Sequence, residues 1–164
     1  MAAKSESALT VTLPSDEEIM LARVFDAPRE LVWQAWTELE HLERWWGPNG
    51  FMTTTHEIDV RPGGVWRFIM HGPDGMDYKN RIVFREVVPP GRLVYTHDDD
   101  GEGASGAFLT TVTFVDVSGK TGVTMRSQFA SKAERDRVVE EFGAIEGGKQ
   151  TLARLAEYLS TMDR

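Results

Sequence analysis

The middle of the sequence carries the side chains best suited to acid–base or hydrogen-bonding chemistry. Histidine titrates near neutral pH, and tyrosine and arginine donate hydrogen bonds to polar ligands. All seven candidates fall within short runs typical of β-strands, where a shift of one residue in register moves a side chain to the other face of the sheet. The sequence alone therefore leaves open which of them share a site. They are His56, Arg67, His71, Tyr78, Arg81, Tyr95 and His97.

The histidines do not form a metal-binding pattern. The first of the four, His41, and the three named above lie in different predicted elements, without the i, i+4 spacing or the Glu-x-x-His motif that places ligands on one helix face. The chain contains no cysteine, which excludes disulfide bonds, thiolate nucleophiles and cysteine metal sites. We therefore predict no metal and no cofactor.

Three other stretches approach known functional motifs but lack a required residue. Residues 143–149 have the spacing of a phosphate-binding P-loop, but Gln150 stands where a Ser or Thr would bind Mg²⁺. The acidic run from Asp98 begins like a calcium loop, but Leu109 occupies the twelfth position. Ser105 lacks the second flanking glycine of a nucleophile elbow. The sequence thus supports neither nucleotide binding, calcium binding nor hydrolase chemistry.

Two adjacent tryptophans, Trp45 and Trp46, stand in the stretch LERWWGPNG, although the chain has only five tryptophans. Neighbouring side chains point about 100° apart on a helix and to opposite faces on a strand. Both rings are therefore buried only where two packed layers meet, and the pair predicts a corner of the fold.

Composition and charge narrow the class of protein. The chain has 164 residues, of which 41% are hydrophobic, which is ordinary for one globular domain. Its net charge of −8 argues against nucleic acid as a partner, because no basic patch is segregated. It contains neither an apolar run long enough to span a membrane nor a signal peptide, so we expect a cytoplasmic protein. Residues 1–8 read as a disordered tail and residues 9–164 as a single domain.

The hydrophobic pattern predicts one strand, two short helices, six further strands and a long C-terminal helix. Short loops rich in Gly and Pro join the strands, which indicates antiparallel neighbours. Ser131, with Glu134 three residues later, is the predicted N-cap of the long helix. Only this helix is long enough to cover the sheet. Within it, Gly147 and Gly148 are unfavourable, and they indicate either a close approach to the sheet or an occupant, or a simple kink.

Four separated stretches resemble one protein family, in matching order. They are RVFDAPRELVWQAWTELEHLERWWGPNGF, DVRPGGVWRF, PPGRLVYT and GAIEGGKQTLARLAEYL. The chain is thereby identified as similar, over about residues 18–160, to the Hsp90 ATPase activator homologue 1-like family of the START/Bet v 1-like superfamily.

The resemblance implies an α+β helix-grip (Bet v 1-like) fold. In such folds a curved antiparallel sheet, here of about seven strands, wraps around the long C-terminal helix and leaves a cavity between them, and two short helices after the first strand close the cavity. Either Trp45 or Trp46 would then face the cavity while its neighbour packs outward against a loop. Aromatic and apolar side chains, with one lysine, are the candidates for the cavity lining: Trp36, Trp45, Trp46, Trp66, Phe68, Met70, Tyr78, Tyr95, Met125, Phe142, Ile145, Lys149 and Leu152.

We therefore expect non-enzymatic binding of a small hydrophobic or amphipathic molecule in this cavity. One alternative, implied only by the family, is a protein-interaction module that regulates an Hsp90-type chaperone ATPase. Another is an enzyme that uses histidines and carboxylates of the cavity for acid–base chemistry, for which a strongly shifted pKa of a cavity group is the discriminating observation. The sequence leaves open whether the protein is a homodimer.

Overall fold

A computed structural model describes residues 9–100 and 107–162, with the backbone alone for residues 141 and 142. The predicted disordered tail, Ser105 and the second half of the acidic run that begins at Asp98 lie outside the described residues. The elements are, in order, β1 (Thr10–Thr12), β2 (Glu18–Phe25), α1 (Arg29–Thr37), α2 (Leu39–Trp45), β3 (Met52–Ile58), β4 (Val65–His71), β5 (Asp77–Val88), β6 (Arg92–Asp98), β7 (Phe108–Val117), β8 (Lys120–Gln128), α3 (Lys132–Phe142) and α4 (Ala144–Leu159).

The strands form one antiparallel sheet in the order β1-β2-β8-β7-β6-β5-β4-β3. Successive strands from β3 to β8 are neighbours, as the short loops predicted. The turn between β7 and β8 shows why: Ser118 and Gly119 both have positive φ, 54° and 85°, which is the type I′ geometry that matches the twist of a hairpin. The predicted helix-grip sheet is confirmed, with one strand more than the seven expected. The added strand is β1, only three residues long and paired with β2.

The predicted single C-terminal helix is two helices. Gly143 adopts a left-handed conformation (φ 59°, ψ 43°), and its N–H donates to the carbonyls of Val138 and Val139, which ends α3. The next residue begins α4. The predicted N-cap is correct, because Oγ of Ser131 accepts a hydrogen bond from the backbone N–H of Glu134 at 3.1 Å.

The core lies between the inner face of the sheet and the helices α1, α2 and α4. From α4, Leu152, Leu155 and Leu159 are buried against the sheet. The helix approaches β2 so closely that a Cβ on Gly148 would stand 2.5 Å from Cδ1 of Leu21. Close approach to the sheet therefore explains Gly148, whereas a Cβ on Gly147 would stand 3.3 Å from Cγ of Pro48 in the loop after α2. None of the described helices is both long and apolar enough to cross a membrane.

Candidate ligand cavity

A cavity of about 620 Å³ lies between the inner face of the sheet, the α1–α2 corner and the two C-terminal helices. Its wall is formed mainly by aromatic and apolar side chains, with a smaller number of polar groups on the strands. The lining residues are Trp36, Trp45, Trp46, Gly47, Pro48, Phe51, Met70, Tyr78, Lys79, Asn80, Tyr95, His97, Asp98, Asp99, Phe108, Thr110, Met125, Ser127, Phe129, Arg137, Val138, Gly143, Ala144, Gly147, Gly148 and Thr151.

Both tryptophans of the adjacent pair line the cavity. Trp45 is the last residue of α2, whereas Trp46 has left the helix with an extended backbone (φ −66°, ψ 127°). This change of backbone between the two residues turns both rings inward, so the 100° divergence of a continuous helix does not apply. The expectation that one ring packs outward is wrong: Trp45 is fully buried and Trp46 is 7% exposed.

The two rings belong to a chain of aromatic contacts. Trp45 packs edge-on against Trp36 with ring centroids 4.9 Å apart, and Trp46 packs against Trp66 at 5.1 Å. The indole N–H of Trp45 donates to the carbonyl of Ala35 at 2.9 Å, so its burial leaves no unpaired donor. This corner is a closely packed aromatic wall on one side of the cavity.

A row of hydroxyl groups crosses the sheet on the cavity side. Thr110 Oγ1 and Ser127 Oγ lie 3.0 Å apart, and Thr110 is also hydrogen-bonded to the phenol of Tyr95. The three residues are cross-strand partners on β6, β7 and β8. Burial raises the pKa of the Tyr95 phenol, and its bond to Thr110 only partly offsets that effect. The row is uncharged at physiological pH.

His97 lies beside this row, on the same face of β6 as Tyr95. Its Nε2 is 2.8 Å from Oδ1 of Asn80, whose Nδ2 donates to the carbonyl of Tyr78 at 3.0 Å. Burial lowers the pKa of His97 from 6.5 to about 4, although the charge of Asp98 opposes this shift. The imidazole is therefore neutral at pH 7.

A loop at the edge of the cavity is held to α4 by hydrogen bonds. Nη1 of Arg154 donates to the carbonyls of Gly47 and Pro48 at 2.8 and 3.1 Å. Oε1 of Gln150 accepts from the backbone N–H of Asn49 at 3.1 Å. Because these bonds join segments about 100 residues apart, the loop and α4 form one continuous side of the cavity.

The structure places just over half of the predicted lining residues on the cavity wall. The seven that it brings together come from α1, α2, the residue that follows α2 and four different strands: Trp36, Trp45, Trp46, Met70, Tyr78, Tyr95 and Met125.

Five other candidates lie away from the wall. Trp66 and Phe68 stack on each other at 3.9 Å in the core, behind Trp46, and Leu152 is buried between α4 and the sheet. Ile145 is half-buried against the core, and Lys149 is exposed to solvent. Their elements are those predicted, but the helix phase of α4 turns Gly147 and Gly148 to the cavity instead of Ile145, Lys149 and Leu152. The side chain of Phe142 lies outside the described residues.

Four members of the polar set occupy other surfaces. The side chain of His56 is exposed, and His71 contacts Asp77 and Thr54 on the outer face. Arg67 and Arg81 also point outward, where they form ion pairs with Glu57 and Asp98 respectively. Of the seven, Tyr78, Tyr95 and His97 line the cavity.

The sequence interpretation missed several cavity residues. Asn80, Thr110 and Ser127 are polar, and nothing in their types marks them as a site. Strand alternation links Asn80 to Tyr78, because residues two apart share a face. Thr110 and Ser127 can be identified only from the register between β6, β7 and β8, which the fold supplies and the sequence does not.

The stretch with P-loop spacing lacks the structural context of a phosphate-binding loop. Residues 143–149 run from the junction of α3 into α4, without a strand before them. In the described part of the chain, the one group with metal-ligand spacing is Glu38, Glu40 and His41, in which both glutamates are exposed. Nδ1 of His41 is already 2.5 Å from the hydroxyl of Tyr158. We assign no metal to it.

Comparison with known proteins identifies a family and its fold. The family model of activator of Hsp90 ATPase homolog 1-like protein matches residues 26–160. A protein from Mycobacterium smegmatis is 25% identical with a TM-score of 0.84, covering 96% of this chain and all of its own. A solution structure from Arthrobacter aurescens is 25% identical with a TM-score of 0.86, covering 94% and 93%. A Nitrosomonas europaea protein is 27% identical with a TM-score of 0.79, covering 90% and 97%. No curated protein is a significant match to the sequence.

Proposed function

The chain belongs to the family of activator of Hsp90 ATPase homolog 1-like proteins, and on this basis we propose that it binds a small apolar or amphipathic molecule in its cavity without catalysing a reaction. The observation that supports the proposal is the cavity itself. Its volume of about 620 Å³ lies within the range of about 300–1,000 Å³ that is typical of small-molecule sites. Aromatic walls with a few convergent polar groups are the usual composition of such sites.

A fluorescent probe tests whether the cavity is occupied by ligands. N-phenyl-1-naphthylamine is uncharged, apolar and bright only in apolar surroundings. We expect saturable binding of one molecule per chain. The variant Met125→Trp enlarges a side chain of the wall and should weaken probe affinity by about tenfold or more, because the larger ring occupies cavity volume.

The matched control places the same ring on the opposite face of the sheet. Val115 is 54% exposed on β7, so Val115→Trp should leave probe affinity unchanged. Absence of saturable binding, or equal affinity of the two variants with folding confirmed by circular dichroism, would overturn the proposal.

The enzymatic alternative has one supporting observation, the strongly lowered pKa of His97 on the cavity wall. A pKa of about 4 makes this imidazole a weak base at pH 7, whereas an efficient general base has a pKa near the working pH. Its hydrogen-bond partner is the amide of Asn80 and not a carboxylate that would stabilise an imidazolium. These features favour a binding role over a proton-transfer role.

A chaperone-directed role is a second candidate, favoured by the description of the family. The test is a pull-down with purified Hsp90-type chaperone, followed by measurement of its ATPase rate. Saturable binding with a raised ATPase rate supports the role. No retention and an unchanged rate at micromolar concentrations of both proteins count against it.

We also propose that the protein is cytoplasmic, as its sequence suggested. Whether it forms a homodimer is a separate question that the sequence left open. Cell fractionation checks the location. Light scattering after gel filtration checks the oligomeric state, with a mass of 18.4 kDa expected for one chain and twice that for a dimer.

A further inference from the structure

We propose that the cavity prefers an amphipathic molecule with an uncharged hydroxyl head, which donates a hydrogen bond to Nδ1 of His97, over one with a carboxylate head. This inference rests on the proposed function and specifies the chemical class of the ligand. It follows from the hydrogen bonds of His97 and of the hydroxyl row, and from the positions of the charged residues that line the cavity.

The tautomer of His97 is determined by its neighbour. The Nδ2 group of Asn80 donates to the carbonyl of Tyr78 at 3.0 Å, which orients the amide so that its Oδ1 is an acceptor toward the ring. Nε2 of His97, 2.8 Å from that oxygen, must therefore carry a proton. In the neutral ring, Nδ1 then has only a lone pair. No described residue donates a hydrogen bond to it, and the lowered pKa of His97 is consistent with a neutral ring.

The hydroxyl row next to His97 carries no charge either. The hydroxyls of Tyr95, Thr110 and Ser127 each have one proton to donate. The two hydrogen bonds that join the three residues use two of these protons. One donor and several lone pairs remain for a neutral polar group. Such a row accommodates a hydroxyl head but offers no counter-charge to an anion.

The charged residues of the wall do not favour a carboxylate. Lys79 lies between Tyr78 and Asn80 on β5, so strand alternation directs its side chain to the outer face. Arg137 is ion-paired with Glu134 on its own helix.

Of the two acidic residues that border the cavity, Asp98 and Asp99, the first is ion-paired with Arg81 on the outer face, and neither attracts an anion. An anionic head would therefore lose its hydration without gaining an unpaired cation among the described inner residues of β5, β6, β7 and β8 that line the cavity, and desolvating an unpaired charge is unfavourable.

Three naphthalenes that differ only in the head group test this preference. At pH 7, 2-naphthol is an uncharged hydroxyl compound, 2-naphthoate is an anion and 2-methylnaphthalene is apolar. Each competes with N-phenyl-1-naphthylamine for the wild-type protein. We expect 2-naphthol to bind about fivefold more tightly than 2-methylnaphthalene, as one added hydrogen bond provides, and at least about tenfold more tightly than 2-naphthoate.

A matched pair of histidine variants locates the acceptor. His97→Phe should lower the affinity for 2-naphthol to the affinity that the same variant has for 2-methylnaphthalene. His71→Phe makes the same substitution on the outer face and should preserve the preference. In the wild-type protein, the ¹⁵N resonance of His97 Nδ1 should shift on addition of 2-naphthol but not of 2-methylnaphthalene, which tests the contact even where a variant fails to fold.

The outcomes separate this inference from the proposed function. If the three compounds compete equally, or 2-naphthoate binds most tightly, the head-group preference is overturned while ligand binding stands. A preference that persists in folded His97→Phe, or an unshifted Nδ1 resonance, overturns the role of His97. If neither the fluorescent probe nor any naphthalene binds, both proposals fail.

Discussion

The helices α3 and α4 continue one hydrophobic stripe of the sequence but pack differently. In α4, Leu152, Leu155 and Leu159 are 0–2% exposed beneath the sheet. In α3, no residue with a described side chain is fully buried, and ion pairs such as Lys132–Asp136 lie on its surface. Both helices nevertheless border the same cavity.

The two helices therefore differ in their expected roles: α4 in the stability of the fold and α3 in access to the cavity. Exposed ion pairs contribute about 0–1 kcal/mol each, whereas truncation of a buried leucine removes about 2–5 kcal/mol. α4 therefore contributes more to the stability of the fold, and we expect α3 to open at a lower free energy than α4. Gly143, between them, allows the two helices to pack independently.

The largest effect on the free energy of unfolding should come from truncating a buried leucine of α4. Leu155→Ala should lower the free energy of unfolding by about 2–5 kcal/mol, because it leaves a void in a fully buried site. The matched change in α3, Val138→Ala, removes a half-buried side chain and should lower it by less than about 1 kcal/mol. Urea denaturation measures both. Equal losses would show that α3 stabilises the fold as much as α4 does.

Acid should destabilise the folded protein because His97, on the cavity wall, resists protonation there. The pKa of His97 is about 4 when folded and 6.5 when unfolded, so the unfolded state gains the proton first as the pH falls. Stability is unaffected above pH 6.5 and decreases between pH 6.5 and 4, by up to about 3 kcal/mol. The variant His97→Gln should flatten this part of the stability–pH curve. An unchanged curve would show that His97 is not the group responsible.

A smaller effect is expected where α4 approaches β2. Gly148→Ala should lower the free energy of unfolding by about 1 kcal/mol, because the clash with Leu21 outweighs the better helix propensity of alanine. The reverse change at the exposed Ala153 of the same helix measures propensity alone and should also be unfavourable by about 1 kcal/mol. If Gly148→Ala is stabilising, the close approach has no energetic consequence.

The smallest effect should be confined to α3. Ser131→Ala removes the side-chain cap at Glu134 and should weaken α3 by about 1 kcal/mol or less. Hydrogen exchange should then accelerate in α3 while the midpoint of global unfolding stays the same. Faster exchange in α4 as well would mean that the two helices open together.

The sequence predicted the order of elements well because its signals are local. Hairpin turns such as Ser118-Gly119 and the alternation along the strands act over a few residues. The helix break was missed because Val138, Ile145 and Leu152 continue one stripe at seven-residue spacing across Gly143. A stripe does not distinguish one helix from two in line, and glycine is also tolerated inside helices.

The candidate site was predicted only in part. Trp36, Trp45 and Trp46 of the α1–α2 corner, which the sequence suggested for the lining, lie on the cavity wall, since large rings next to a helix-ending Gly-Pro pair mark a packed corner. Trp66 and Phe68 share a strand face with Met70, but only Met70 reaches the cavity. Which members of a face line a void depends on what packs above them, and no local pattern encodes that.

The sequence by itself determined the order of the elements and their antiparallel pairing, because backbone preferences and turn residues act between neighbours in the chain. Its four motifs identified the family, and that resemblance implied the helix-grip fold. Tertiary structure alone decided that Trp45 and Trp46 both face inward, that Thr110 meets Ser127, and that His97 is a neutral acceptor. Each of these depends on groups far apart in sequence, whose burial and hydrogen bonds exist only once the strands are in register.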